Sequence, residues 1–242
     1  MKLAELTIAS RFRGPTGSGN GGYVAGALAA FSALESPAVR LLRPPPLDVP
    51  LDVVVPEVDA VADTLELRDA AGMVAMLSDG TLGFLPPPAP SADEASAGRT
   101  RYAGSRSHPF PGCFVCGPER DAGDGLRIYA GPPDPADPHR VSAPWVPDES
   151  LAGTRGRVRP EFLWAALDCP GYFAVAPDGR TMLLGALTVR LYAPLDVGRP
   201  CVIAGWRIGA TGRRHQAGTA LYADGECVAA GLATWVEVRP PG

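Results

Sequence analysis

VRLL at Val39–Leu42, followed by PLDV at Pro46–Val49, recurs further along the chain as VRLY at Val189–Tyr192, followed by PLDV at Pro194–Val197. Two separated matches in the same order indicate an internal duplication. The β-branched and apolar residues of the first match in each copy are typical of a strand. We therefore interpret the sequence as two versions of one structural unit.

Each copy is flanked by the same predicted elements. Downstream, an Asp/Gly turn leads into an apolar run at Asp69–Ala75 and again at Asp224–Ala229, which is typical of a hairpin. Upstream, the sequence predicts a helix from Gly21 to Leu34, which Asn20 can cap, and a second helix from Pro160 to about Ala176. The order in both halves is therefore helix, strand, long connection and hairpin.

Between the halves lies a proline-rich run at Pro86–Pro90, followed by a stretch at Ser91–Gly98 that shows no periodicity and has little to bury. We predict a linker at residues 89–107, between an N-terminal unit at 1–88 and a C-terminal unit at 108–242. One helix and β-rich sequence in meander order predict an α+β fold with antiparallel sheets. A parallel doubly wound fold would need regularly alternating helices.

The composition excludes several classes of protein. Of the 242 residues, 46% are hydrophobic and 20% are charged, which is typical of a globular chain. The formal net charge of −4 disfavours generic nucleic-acid binding. The apolar runs are too short or too interrupted to span a bilayer, and no signal-like segment follows Met1. We therefore expect a cytoplasmic protein, and an odd number of cysteines, five, argues for reduced thiols.

Short motifs in both halves resemble the hotdog fold, and specifically its PaaI-like thioesterase branch. The second half carries CFVCGP at Cys113–Pro118 and GLRI at Gly125–Ile128, similar to the lead-in strand of that branch, and Ala166–Asp168 resembles its acidic helix position. The first half carries NGGYVAGAL at Asn20–Leu28, which resembles the family's His-Gly-Gly helix start with Asn in place of His. The resemblance implies a double hotdog, in which each unit packs a helix on a curved antiparallel sheet.

The same residues offer the two groups that thioester hydrolysis needs. The N–H groups at the start of a helix that opens with Gly21 and Gly22 face developing negative charge on a carbonyl oxygen, and the missing Cβ atoms allow close approach. The carboxylate of Asp168, on an otherwise apolar helix, suits a nucleophile or general base. Each has a structural alternative: the glycines can serve tight packing alone, and Asp168 can be a cap or an ion-pair partner.

The two halves have lost complementary parts of this site. In the family, the resemblance implies, a pocket takes its glycines from one unit and its acid from the partner unit. The first helix has Ala29 and Ala30 where an acid would lie, and the second helix starts with Pro160, which has no N–H to donate. We therefore predict one composite site made of Gly21, Gly22 and Asp168, and an inert reciprocal site.

Further residues are assigned to substrate binding. Asn20 and Tyr23 lie at the predicted helix start, and Arg213 and Arg214 lie at a strand start where they can dock the phosphates of CoA. Thr181 is assigned because the branch uses a Ser or Thr on the strand after the second helix, to hold the water or the acid. Leucine occupies the closest position in register, and Thr188 is a second nearby candidate.

No metal or cofactor is predicted beyond the CoA thioester as substrate. Cys113 and Cys116 have zinc-knuckle spacing, but a structural zinc needs four ligands and no second such pair follows. The spacing of His108 and Cys169 does not support them as additional ligands. A redox pair would need a strand-then-helix setting that is missing here, so the sequence favours a packed, reduced pair.

The sequence thus predicts an acyl-CoA thioesterase that is a monomer or a homo-oligomer of the duplicated chain. The runner-up is a protein that binds an acyl thioester or a fatty acid without turnover, which the missing hydroxyl favours. Hydration of an enoyl-CoA would call for closely spaced Asp and His on one loop. None of the three histidines supplies that pattern.

Overall fold

In the computed structural model, which describes residues 1–56 and 63–238, two sets of strands with the same chain order build one antiparallel sheet. The first half contributes β1 (Lys2–Thr7), α1 (Gly21–Ala29), β2 (Pro37–Leu41), β3 (Pro50–Val54), β4 (Leu65–Asp69) and β5 (Gly72–Asp79). The linker region contains α2 (Ala92–Thr100). The second half contributes β6 (Arg140–Trp145), α3 (Pro160–Ala166), α4 (Cys169–Val175), β7 (Met182–Leu191), β8 (Cys201–Thr211), β9 (Arg214–Ala223) and β10 (Glu226–Glu237).

The sheet order confirms the duplication. The strands run β1-β3-β4-β5-β2 and then β7-β10-β9-β8-β6, so the second half repeats the first in reverse across the sheet. The halves join where β2 pairs antiparallel with β7, and Ala38 lies opposite Thr188. Aligning VRLL with VRLY makes these two residues equivalent, which is the pairing that a pseudo-two-fold axis through the seam requires.

Both predicted hairpins are confirmed. β4 turns into β5 with Asp69 opposite Gly72, and β9 turns into β10 with Ala223 opposite Glu226. The second turn places Asp224 at φ 51° and Gly225 at φ 83°, the left-handed conformations that a two-residue hairpin turn needs. The Asp-Gly pair in the sequence therefore correctly indicates a two-residue hairpin turn with left-handed backbone conformations.

The predicted helices also form, with different lengths. Asn20 caps α1, because its side-chain oxygen accepts a hydrogen bond from the backbone N–H of Tyr23 at 2.9 Å, but the helix ends at Ala29 instead of Leu34. The second predicted helix is two helices, α3 and α4. Pro170 has no N–H for an intrahelical hydrogen bond, and the helix is interrupted just before it, at Leu167 and Asp168.

The linker region is more structured than the sequence predicted. Ser91 and Glu94 form a capping box: the hydroxyl of Ser91 accepts a hydrogen bond from the Glu94 N–H at 3.2 Å, and the Glu94 carboxylate accepts one from the Ser91 N–H at 2.8 Å. The small residues Ala95 and Gly98 are buried, and a Cβ at Gly98 would lie 2.3 Å from the carbonyl oxygen of Ser142 on β6. Packing through small residues leaves no apolar periodicity, which explains why the prediction missed α2.

Substituting the capping residue of α2 tests this helix. We expect Ser91→Ala to lower the free energy of unfolding by about 1 kcal/mol, because the first-turn N–H of Glu94 loses its acceptor. The matched control is Ser96→Ala, the same change at an exposed position within α2, which should be neutral or slightly stabilising. The measurement is equilibrium unfolding in urea, and equal losses for the two variants would contradict the cap.

Candidate active site

The predicted acid is buried at the break between α3 and α4, where it meets the start of α1. Asp168 is 2% exposed, and its Oδ2 accepts hydrogen bonds from Asn20 Nδ2 at 2.7 Å and from the backbone N–H of Gly22 at 3.0 Å. The acid comes from the second half of the chain and both donors come from the first. The predicted pairing of the first half's helix start with the second half's acid is therefore present in the fold.

The position of Asp168 differs in one respect from the prediction. The sequence predicted one helix from Pro160 to about Ala176, with Asp168 inside it. In the structure it follows α3 but is also the residue that precedes α4, so the positive end of a second dipole lies beside it. The break at Pro170 is what creates this junction.

The surroundings of Asp168 favour its protonated form. Burial raises the pKa of Asp168 to about 7, and the neighbouring Cys113 contributes to the increase, against the hydrogen bonds from Gly22 and Asn20. The two carboxylate oxygens are in different environments: Oδ2 accepts both hydrogen bonds, whereas Oδ1 is buried and accepts none from residues 1–56 and 63–238. One oxygen therefore anchors the side chain, and the other is buried without a hydrogen-bond donor from the described residues.

Glycines in α1 allow the two halves to approach this closely. A Cβ at Gly22 would lie 2.6 Å from the Asp168 Cβ and 2.8 Å from the Trp164 carbonyl oxygen. One turn later, a Cβ at Gly26 would lie 2.7 Å from the Glu161 Cα. Both glycines therefore face α3 and let its backbone come into contact with α1. Gly22 thus serves tight packing, but against a helix and not the sheet, and the same packing brings its N–H to the acid.

A cavity of about 350 Å³ opens beside this contact. Asn20, Gly21 and Asp168 all line it. Most of its wall is apolar. It comes from the end of β2 and the loop after it, from the segment before Cys113, and from the facing ends of β7 and β10. The apolar lining residues are Leu41, Leu42, Pro44, Pro45, Pro109, Phe110, Met182, Leu183, Leu184, Trp235, Val236 and Val238. The amide-lined helix start and the acid thus share one mostly apolar space.

The strand after the second helix supplies no hydroxyl to this wall. β7 contributes Met182, Leu183, Leu184 and Gly185 to the cavity lining. Thr188 instead lies on the seam, where it pairs with Ala38 of β2. Leucine does occupy the position that the sequence assigned to it.

Other predicted substrate contacts lie outside the cavity wall. Tyr23 is buried against the ring of Phe12, with ring centroids 4.1 Å apart, and burial raises its pKa to about 12, as expected of a core tyrosine. Thr181 and Arg213 are exposed and accept backbone hydrogen bonds from Val238 and Glu237, so both lie next to the cavity-lining end of β10. Arg214 begins β9 beside them. Apart from Tyr23, whose ring is in the core, these assignments stay predictions.

The CFVCGP segment is a turn, although the sequence predicted a strand. The backbone N–H of Gly117 donates a hydrogen bond to the Cys113 carbonyl at 2.9 Å and closes the turn. Cys113 and Cys116 thereby lie on one side, against Cys169 of α4 and close to His108. Hydrogen bonds from the Cys116 and Cys169 thiols hold the pKa of Cys113 well below its usual range.

Sequence reasoning gave no role to three of the residues that meet here. Cys169 and His108 join the cysteine pair, and Arg43 lines the cavity while its guanidinium is paired with the carboxylate of Asp69. Cys169 follows Asp168 directly, and this adjacency was the available signal. The position of Arg43, immediately after the VRLL repeat, carried no such signal.

Solved structures share this architecture along the whole chain. The tesB protein of Mycobacterium avium subspecies paratuberculosis matches 98% of this chain and 92% of its own at 15% identity and a TM-score of 0.62. A hotdog-fold protein of Alicyclobacillus acidocaldarius matches 98% and 93% at 12% identity and a TM-score of 0.64. A proposed thioesterase from Novosphingobium aromaticivorans matches 97% and 95% at 14% identity and a TM-score of 0.62.

The chain therefore has the double hotdog fold, and the predicted resemblance to hotdog-fold thioesterases is confirmed at the level of fold. No family model and no curated protein matches the sequence. Among the described residues, no helix is long and apolar enough to cross a membrane.

The contact between Gly22 and Asp168 can be tested by adding one methyl group. We expect Gly22→Ala to lower the free energy of unfolding by about 1–3 kcal/mol, because its Cβ meets backbone and the acid's own Cβ. The matched control is Gly209→Ala on β8, where a Cβ would meet nothing within 4 Å and the change should stay within about 0.5 kcal/mol. Chemical denaturation measures both, and similar values would contradict the close approach.

Proposed function

We propose that the protein hydrolyses an acyl-CoA thioester to a free acid and CoA, at one composite site between its two hotdog units. The observation that carries this proposal is that Gly21 and Asp168, from different halves, line the same cavity. Hydrogen bonds from Asn20 and Gly22 hold the acid at that cavity. Thioester hydrolysis requires N–H donors that stabilise negative charge on the carbonyl oxygen. It also requires a carboxylate that attacks the carbonyl carbon or activates water to do so.

The geometry suggests a division of work among these groups. Gly21 is the first residue of α1, where backbone N–H groups lack intrahelical partners, and it receives the thioester carbonyl oxygen. The Gly22 N–H is already engaged by Asp168 and positions the acid instead. This assignment splits the role that the sequence gave to both glycines together.

The carboxylate oxygen without a partner among the described residues then takes the proton. In the general-base route, Oδ1 of Asp168 removes a proton from water, whose oxygen attacks the carbonyl carbon. The tetrahedral intermediate collapses, the C–S bond breaks, and the departing CoA sulfur receives the proton from Asp168. In the nucleophilic route, Oδ1 itself attacks and releases the CoA thiolate, and water then hydrolyses the resulting anhydride.

The cavity walls indicate the substrate class. An apolar space beside the acid suits the acyl group, since burying apolar surface is the dominant favourable term in such a pocket. Arg213 and Arg214, exposed at the turn between β8 and β9, remain our proposed contacts for the CoA phosphates. A carrier-protein thioester would present the same reacting bond to the same acid.

Similarity to other proteins supports the reaction class. The structures that share the fold over the whole chain include the tesB protein and a proposed thioesterase, at identities of 15% and 14%. The absence of a hydroxyl on the β7 wall favours the second candidate, an acyl-thioester or fatty-acid binding protein without turnover. In that case the anchored acid would be structural.

Replacing the acid by its amide separates the two candidates. We expect Asp168→Asn to reduce kcat by about 10²–10⁴-fold on a panel of acyl-CoA substrates, because the side chain no longer accepts a proton or attacks. An asparagine oxygen can still accept from Asn20 and Gly22, so the fold should persist. The readout is release of free CoA thiol, with circular dichroism on the same samples.

The control is Asp93→Asn, the same change at an exposed acid in the first turn of α2, which should leave turnover unchanged. Unchanged turnover in Asp168→Asn would remove the acid from the mechanism. Saturable binding of acyl-CoA by the parent protein without any thiol release would instead support the binding protein. In a single turnover in heavy-oxygen water, label found on Asp168 would demonstrate direct attack and hydrolysis at the carboxyl carbon of Asp168, because the general-base route places the label only on the product acid.

A further inference from the structure

Three buried cysteines converge beside the acid. Cys113 and Cys116 lie on the turn that follows the linker region, and Cys169 is the first residue of α4, yet all three sulfur atoms lie within 4.8 Å of one another. The sulfurs of Cys113 and Cys169 are 3.8 Å apart, and all three residues line the cavity. The fold therefore supplies the third sulfur that the Cys-x-x-Cys motif lacked in sequence.

Hydrogen-bond donors are directed at two of these sulfurs, those of Cys113 and Cys116. Cys113 accepts hydrogen bonds from the backbone N–H groups of Val115 and Cys116, and the amide of Asn20 lies 3.9 Å from its sulfur. His108 accepts the Phe110 N–H on Nδ1 at 2.9 Å, so in a neutral ring the hydrogen is on Nε2, which lies 3.2 Å from the Cys116 sulfur. Such donors stabilise thiolates, the form of cysteine that binds metals.

The spacing suits one shared cation. Tetrahedral ligands at a Zn–S distance of about 2.3 Å lie about 3.8 Å from each other. Two packed thiols show a similar separation, so this distance alone does not distinguish a metal site from ordinary packing. The third sulfur and the hydrogen-bond donors around the cluster favour the metal site. A disulfide would join two of the sulfurs at about 2.05 Å and leave the third without a role.

We propose that Cys113, Cys116 and Cys169 bind one soft divalent cation of the zinc type, with the fourth coordination position on the cavity side. This reverses the expectation of no metal, which rested on the absence of a second cysteine pair. His108 acts as a donor to the Cys116 sulfur and not as a ligand. Because Cys169 follows Asp168, the cation would tie the acid's backbone to the turn that carries Cys113.

This site does not depend on the proposed hydrolysis and is tested without turnover. The reduced protein is freed of metal with a chelator and titrated with Co²⁺, then with Zn²⁺ in competition. We expect thiolate-to-cobalt charge-transfer absorption that saturates at one equivalent per chain, and its loss when Zn²⁺ is added. Bound zinc should also raise the unfolding temperature of the protein.

The variants are Cys113→Ser, Cys116→Ser and Cys169→Ser, each of which should lose the cobalt absorption and the thermal shift. The matched control is Cys227→Ser on β10, a cysteine outside the cluster, which should bind like the parent. Thiol titration in denaturant first establishes that all five cysteines are reduced. The proposal is overturned if the reduced parent protein binds no Co²⁺, or if Cys227→Ser loses binding as the cluster variants do.

Discussion

The buried contact between Asp168 and the start of α1 is the interaction on which the site depends. A carboxylate with 2% exposure has lost most of its hydration, and two hydrogen bonds from the other half of the chain replace part of it. Those bonds exist only because the helix backbones touch where Gly22 and Gly26 have no side chain. The same contact therefore positions the acid and packs the two halves together.

The duplicated chain explains why one contact of this kind is enough. In a symmetric pair of identical units, every residue near the axis would have to satisfy two sites at once. A fused chain lets the halves differ, and here they do: Asn20 and the glycines belong to one half, Asp168 to the other. Ala29 and Pro160, which the sequence predicts at the reciprocal positions, lie at the end of α1 and at the start of α3.

Much of this arrangement was predictable because it is encoded locally. The VRLL and VRLY repeats mark the two strands that pair at the seam, the Asp/Gly turns mark both hairpins, and Asn20 carries its capping role in its position before Gly21. Asp168 stood out as a carboxylate on an otherwise apolar predicted helix. Each of these signals depends on neighbours within a few residues.

The missed features depend on contacts between distant segments. α2 packs through Ala95 and Gly98, and such small residues produce no apolar periodicity in the sequence. The turn at Cys113 is closed by a backbone hydrogen bond, which a sequence typical of a strand does not predict. The contact between the sulfurs of Cys169 and Cys113 depends on the helix break at Pro170 and on the path of the linker region. The spacing of these cysteines along the chain therefore does not predict it.

Contacts between distant segments also give the two carboxylate oxygens of Asp168 different surroundings. Donors from the first half occupy Oδ2, whereas Oδ1 accepts no hydrogen bond within the part of the chain that the structure describes. A hydroxyl on β7 would have offered a second acceptor and donor at the cavity wall, but Met182, Leu183 and Leu184 make that wall apolar. In the proposed mechanism, the close contact at Gly22 holds the acid against the start of α1, which is the kind of positioning that catalysis needs.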